Sequence, residues 1–148
     1  MNERSKDRLR RLLAEGESER VEFKETMGRE ALETVAAFAN TRGGTLLIGV
    51  ADDGTVKGIT LGKETLRDWA NHIAQATRVH PQIRPLTYQD RDVVIVEVPE
   101  SPLKPISCRG RYFKRVGSSN RRMTDDDLTR AVLGSVGVTW DEMVDPRA

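Results

Sequence analysis

Cysteine is almost missing from this chain. Its single residue, Cys108, excludes an intrachain disulfide and any zinc site built from several thiolates. Histidine is nearly as scarce: His72 and His80 each stand alone, and His72 falls on an amphipathic helical pattern, where a surface position is expected rather than a ligand. No apolar run approaches the length of a membrane span, and the opening Met1-Asn2-Glu3-Arg4-Ser5-Lys6 lacks the apolar stretch of a signal peptide. A soluble, cytoplasmic protein with no membrane partner is therefore expected. Neither Gly-x-x-x-x-Gly-Lys-Ser/Thr nor a strand-Gly-x-Gly-x-x-Gly-helix pattern occurs, so nucleotide binding through such loops is not expected. Internal repeats and low-complexity segments are absent as well.

What is present fits one domain with a real core: 148 residues, 37% apolar and 32% charged. The net charge of +1 hides an uneven distribution. Between Ser101 and Arg122 lie Lys104, Arg109, Arg111, Lys114, Arg115, Arg121 and Arg122, with no acid among them. Acids gather instead at Glu15–Glu25, at Asp52-Asp53, at Asp125-Asp126-Asp127 and in the last residues. An almost neutral chain with one strongly basic segment implies a directed electrostatic face.

The organising stretch runs from Val35 to Gly54. Val35, Phe38 and Ala39 at helical spacing belong to a helix over Gly28–Asn40, where Asn40 tolerates a left-handed ending and Gly43-Gly44 lets the chain reverse. Leu46-Leu47-Ile48-Gly49-Val50 is an unbroken apolar run, the pattern of a strand covered on both faces, and Asp52-Asp53-Gly54 turns it into a returning strand over Thr55–Ile59. Ahead of this unit, residues 3–14 read as a helix with Leu9, Leu12 and Leu13 on one stripe, its arginines either solvated or touching phosphate. Glu17–Lys24 reads as a half-buried strand. Beyond it come a helix over 63–77 capped by Thr60, with Trp69 in the core, and a hairpin of Ile83–Tyr88 with Asp92–Val98. Pro99, Pro102 and Pro105 make a stiff crossing to a second hairpin, Ile106–Cys108 with Arg111–Val116. A polar Gly117–Asn120 loop follows, and Thr124 caps a last helix to about Leu133. The fold class expected is α+β, a single domain over 1–136 with a mixed, mostly antiparallel sheet and packing helices. Residues 137–148, with Trp140, read as a tail or linker.

Three stretches taken in order carry a family pattern: Glu17-x-x-x-x-Glu22-Phe23-Lys24; Ala37-Phe38-Ala39-Asn40-Thr41-x-Gly43-Gly44-x-x-x-Ile48-Gly49-Val50-x-Asp52-x-Gly54; and Pro102-x-Lys104-Pro105 leading to Arg111-Tyr112-Phe113-x-Arg115-x-Gly117-Ser118-x-Asn120. Together they resemble the Schlafen-type AlbA-like domain. The resemblance implies nucleic-acid binding, in bacteria sometimes by a domain attached to an ATPase-like or helix-turn-helix region. In Schlafen nucleases it implies a metal-dependent endoribonuclease acting on structured, tRNA-like RNA, with the carboxylates corresponding here to Glu17, Glu22 and Asp52. Two departures stand beside it: those nuclease cores carry two such lobes in one chain, and they hold a Cys/His zinc site that one cysteine cannot supply. A homodimer would restore two lobes.

Two chemistries follow. Carboxylates alone hydrolyse a phosphodiester only with a hard divalent cation, Mg²⁺ or Mn²⁺, held by oxygen ligands; Glu22 and Asp52 converge if their strands are neighbours, with Glu17 entering from the loop beside them. The structural alternative pairs Glu17 and Glu22 with Arg20, Lys24 or Arg42 and leaves Asp52 to shape its turn. Along the basic segment, Lys104, Arg109, Arg111, Lys114, Arg115, Arg121 and Arg122 are expected to meet a DNA or RNA backbone, with Tyr112 or Phe113 stacking and Ser118, Ser119 and Asn120 donating to phosphate. An ordinary charged sheet edge is the alternative there. Three functions stay open: a nucleic-acid-binding module of a transcriptional regulator, a metal-dependent endoribonuclease, and a dimerisation or scaffold domain.

Overall fold

The computed structural model describes residues 3–136; the expected tail at 137–148, Trp140 included, lies outside the described residues. The element order is α1 (Glu3–Glu15), β1 (Val21–Lys24), α2 (Arg29–Asn40), β2 (Gly44–Ile48), α3 (Thr65–Thr77), β3 (Gln82–Tyr88), β4 (Arg91–Val98), β5 (Ser107–Cys108), β6 (Arg111–Val116), β7 (Ser119–Arg122) and α4 (Asp125–Ser135). The α+β expectation holds. The strands divide into two sheets, however: a four-stranded one ordered β1-β2-β4-β3 and a three-stranded one ordered β5-β6-β7. Prolines in the crossing between them lack the N–H that would extend a sheet edge, so the chain leaves the first sheet and starts a second.

In the first sheet β1 runs parallel to β2, while β2–β4 and β4–β3 are antiparallel. Alternation along β2 and β4 sends Leu46, Ile48, Val94, Val96 and Val98 to the side of α2 and α3, and Leu47, Val93 and Ile95 to the side of α1. Both faces are covered, which is why these strands read as unbroken apolar runs. Helix α1 docks through Leu9, fully buried against Phe23, Leu47 and Leu86, with Leu12 and Leu13 beside it. Arg8 of α1 donates to Thr45 Oγ1 at 3.1 Å and bonds Glu97, so at least this arginine of α1 is structural. Helix α2 lies between the two sheets. That position demands an element apolar nearly all round, which accounts for its small residues: Ala31, Ala36, Ala37 and Ala39 are all buried.

Several local expectations are corrected. Asn40 does not adopt the left-handed turn; Thr41 caps α2, and the positive φ (73°) falls at Gly43. Asn40 instead bridges to the second sheet, donating from Nδ2 to the carbonyls of Ile106 (2.8 Å) and Phe113 (2.9 Å) while Oδ1 accepts from Ile106 N (2.6 Å). The strand expected over Thr55–Ile59 is reduced to one bridge, Val50 to Val56, because Lys57 and Gly58 donate back to the Gly49 carbonyl and Ile59 to that of Asp92. Thr60 caps nothing among the described residues; α3 starts at Thr65 with Glu64 at its N-cap. Gly117–Asn120 is not a loop throughout: only Gly117 and Ser118 turn, and Ser119 opens β7. Thr124 does cap α4, in a reciprocal box with Asp127. Among the described residues no helix is long and apolar enough to cross a membrane.

Candidate functional site

A two-residue reversal brings the first two acids together. Ser18 and Val21 exchange backbone bonds (2.9 and 3.4 Å), folding the chain so that Glu17 lies beside β1 and its Oε1 accepts from Phe23 N at 3.4 Å. Within β1, Phe23 points to the α1 side and Glu22 to the opposite one, toward α2 and the second sheet. The third acid comes from the turn after β2, the parallel partner of β1. Gly49 and Val50 both donate to the Lys24 carbonyl (2.7 and 3.1 Å), holding that turn against the end of β1. One carboxylate oxygen from each of Glu17, Glu22 and Asp52 then lies within 4.8 Å of the other two. Asp52 thus comes from beyond the carboxyl end of β2, Glu22 from within β1, and Glu17 from the reversal that precedes it.

Arg42 pairs with Glu19 (3.4 Å) and Lys24 with Glu30 (3.1 Å), not with Glu17 or Glu22. The acidic turn is shaped by Asp53, whose Oδ1 accepts from Thr55 N at 2.9 Å, leaving Asp52 free of that task. Glu22 does have a cation, one the sequence reading assigned elsewhere: Arg115 Nη1 donates to its Oε1 at 2.9 Å, with both side chains buried.

The three acids open on a cleft of about 330 Å³ lined also by Lys24, Glu30, Glu33 and the Ser118–Asn120 end of the β6–β7 hairpin. Negative charge is in surplus there. Burial, a hydrogen bond with Glu22 and the charges of Glu22 and Asp52 push the Glu17 carboxyl up to about 7, against the weaker opposing bond from Phe23 N. Burial works against the Lys24 ammonium, but Glu30, Glu22 and Asp52 raise it on balance. Oxygen-only donors, closely spaced and short of positive charge, fit a hard divalent cation such as Mg²⁺ or Mn²⁺.

The basic segment is divided by strand alternation. Phe113 and Arg115 of β6 face α2, and Arg115 keeps 3% exposure, so its expected place on a polyanion-facing surface is corrected: it is an internal ion pair. Asn120, opposite Arg115, is also occupied; Oδ1 accepts from Arg115 (2.8 Å) and Nδ2 donates to Thr34 (2.8 Å). Lys104 pairs with Glu100 (2.6 Å) and Lys114 with Asp127 (2.8 Å). Arg109, Arg111, Arg121 and Arg122 are exposed and, among the described residues, have no acidic partner. Arg109 Nη2 meets His72 Nε2 at 2.6 Å, and Arg122 lies 5.9 Å over the Phe113 ring. Tyr112 and Lys114 share the outward face, and Ser118 sits at the cleft lip. The pairing of Arg115 with Glu22 is not evident from the sequence pattern alone. Its signal was the shared parity of Phe113 and Arg115 on one strand, which turns an arginine inward wherever the phenylalanine is core.

A family model described as Schlafen, AlbA_2 matches residues 17–124, beginning at the first of the three acids and leaving α1 outside. Among solved structures, the DIP2311 protein of Corynebacterium diphtheriae is similar with a TM-score of 0.63 at 25% identity over 79% of this chain, which spans 29% of that protein's length. The N-terminal domain of a Nitrosomonas europaea protein, named for its relation to the ATP-dependent DNA helicase RecG, is similar with a TM-score of 0.57 at 34% identity, covering 80% of this chain and 92% of that domain. No curated protein matches the sequence.

Proposed function

The chain belongs to the Schlafen AlbA_2 family, and on that premise we propose that it binds nucleic acid and cuts phosphodiester bonds with a divalent cation held by Glu17, Glu22 and Asp52. What supports cleavage above all is that these carboxylates converge while neither Glu17 nor Asp52 has an ion-pair partner among the described residues. Mg²⁺ or Mn²⁺ bound there supplies charge neutralisation for a phosphate and activation of water. Glu22 lines the cleft with both oxygens oriented, Oε1 by Arg115 at 2.9 Å and Oε2 by Phe23 N at 3.3 Å. Lys24, paired with Glu30, adds a positive charge on the cleft wall itself. Arg109, Arg111, Arg121 and Arg122 grip the backbone, with Tyr112 offering a stacking face and Ser118 a donor at the lip. A homodimer supplies the second lobe, which sedimentation of the chain with and without RNA reads directly.

The test is incubation of the purified chain with tRNA, and in parallel with duplex DNA, in Mn²⁺. Cleavage abolished in Asp52→Ala and retained in Asp53→Ala supports the nuclease. RNA or DNA that is retarded but intact overturns cleavage and leaves a binding module, as in a transcriptional regulator. The unbound outcome, with no retardation even at low salt, leaves a dimerisation or scaffold domain.

A further inference from the structure

Arg115 belongs to the second sheet, yet its guanidinium ends beneath the acids of the first. Its side chain is 0% exposed, and its donors are spread over acceptors on both sides of one reversal. Nη1 donates to Glu22 Oε1 (2.9 Å) and Asn120 Oδ1 (2.8 Å); Nη2 donates to the carbonyls of Ser18 (2.9 Å) and Val21 (3.2 Å); Nε donates to that of Glu19 (3.2 Å). The Phe38 ring lies 5.0 Å from the guanidinium carbon and closes its apolar face. Beyond Asn120 the chain of bonds continues through Thr34 Oγ1, which donates to the Glu30 carbonyl (2.9 Å), and so ends on α2.

The backbone it grasps is the reversal from which Glu17 projects, and the side chain it grasps is Glu22. We propose that Arg115 is a positioning residue: from β6, the strand whose outward face carries Tyr112 and Lys114, it fixes the Ser18–Val21 reversal and Glu22 so that Glu17 and Glu22 reach Asp52. The role rests on reading these three acids as cation ligands. It also ties the sheet that meets nucleic acid to the cleft that acts on it. Neutralising Glu22 alone would need a point charge. A planar fork is needed to hold three carbonyls and a carboxylate in fixed directions, which the single nitrogen of a lysine cannot span.

Arg115→Lys, which keeps the charge and loses the fork, is the discriminating variant. Three measurements apply: Mn²⁺ affinity by electron paramagnetic resonance, steady-state cleavage of tRNA, and amide hydrogen exchange of residues 18–23 against β4 as internal reference. Expected are a loss of Mn²⁺ affinity of about 10- to 100-fold, a comparable fall in kcat with KM little changed, and faster exchange confined to residues 18–23. Mn²⁺ affinity and exchange equal to the unsubstituted chain overturn the proposal. If the unsubstituted chain binds no Mn²⁺, the cation reading fails, whereas the exchange result still decides whether Arg115 holds the reversal. Should Arg115→Lys not fold, Asn120→Ala removes one acceptor and the anchor to α2 while sparing the Arg115–Glu22 pair; a smaller loss of Mn²⁺ affinity in the same direction supports the proposal, and none overturns it.

Discussion

Replacing Glu17 by Gln should make the protein more stable above neutrality, although it removes a residue of the proposed site. Glu17 titrates near 7 in the folded chain against an ordinary 4.5, so the native state holds its proton more tightly than the unfolded chain does. Below about pH 4.5 both states carry the proton and nothing is lost. Between 4.5 and 7 the unfolded chain gives it up first, and stability falls as pH rises; above 7 the cost is constant. A rise from 4.5 to about 7 sets a ceiling of roughly 3 kcal/mol at about 1.4 kcal/mol for each tenfold. Glu17 sits partly exposed at the cleft rim, and solvent screening reduces this to about 1 kcal/mol, or a gain of about 3 °C in Tm for Glu17→Gln at pH 8. The glutamine oxygen still accepts from Phe23 N, so the backbone contact survives. Thermal unfolding by circular dichroism at pH 4 and pH 8 checks the sign: a gain at pH 8 that vanishes at pH 4. Saturating Mn²⁺ should reverse the order by stabilising only the unsubstituted chain. A gain of equal size at both pH values, or none at pH 8, refutes the claim that burial and the neighbouring acids Glu22 and Asp52 raise Glu17.

Gly44→Ala places a Cβ 2.8 Å from two ring carbons of Phe38 and from the Arg20 carbonyl; an overpacking cost of about 1–3 kcal/mol is expected in urea unfolding. Leu9→Ala empties the contact that docks α1, and a loss of about 2–5 kcal/mol in the same assay is expected. For nucleic-acid binding, Arg121→Gln and Arg122→Gln should each lower the salt slope of affinity by about one, whereas Lys114→Gln, already neutralised by Asp127, should lower it less; fluorescence anisotropy against NaCl reads all three. Asp53→Ala loses the bond from Thr55 N and loosens the turn without affecting Mn²⁺ affinity, while Asp52→Ala removes that affinity, as titration calorimetry will show.

The two sheets and the helix between them explain why the family pattern is strung over so much of the chain. Glu17 and Glu22 begin it and Arg115 and Asn120 nearly end it, because the guanidinium that fixes the first pair is delivered by a strand about ninety residues downstream. Asn40, at the end of α2, ties that helix to the second sheet through Ile106 and Phe113. Breaking either link should loosen the second sheet from the elements it packs on rather than unfold it.

By itself the sequence determined whatever depends on near neighbours. Apolar runs marked the strands buried on both faces, leucines at helical spacing marked α1, the small residues of Val35–Ala39 marked the packed helix, and Thr124 with three following acids marked the start of α4. It also named the three carboxylates, through a resemblance and not through their spacing. Only the tertiary structure decided which charges stay free. An arginine reads the same in a list whether it meets solvent or a buried glutamate; the difference lies in strand parity and in what packs opposite, and both are set by contacts remote in sequence. So Arg115, the cation of the basic segment most deeply buried, turned inward with Phe113, while Arg121 and Arg122 on the edge strand stayed in water. Asp52 was separated from Asp53 in the same way, since one of two adjacent carboxylates could bond its own turn and the other was left to face the cleft.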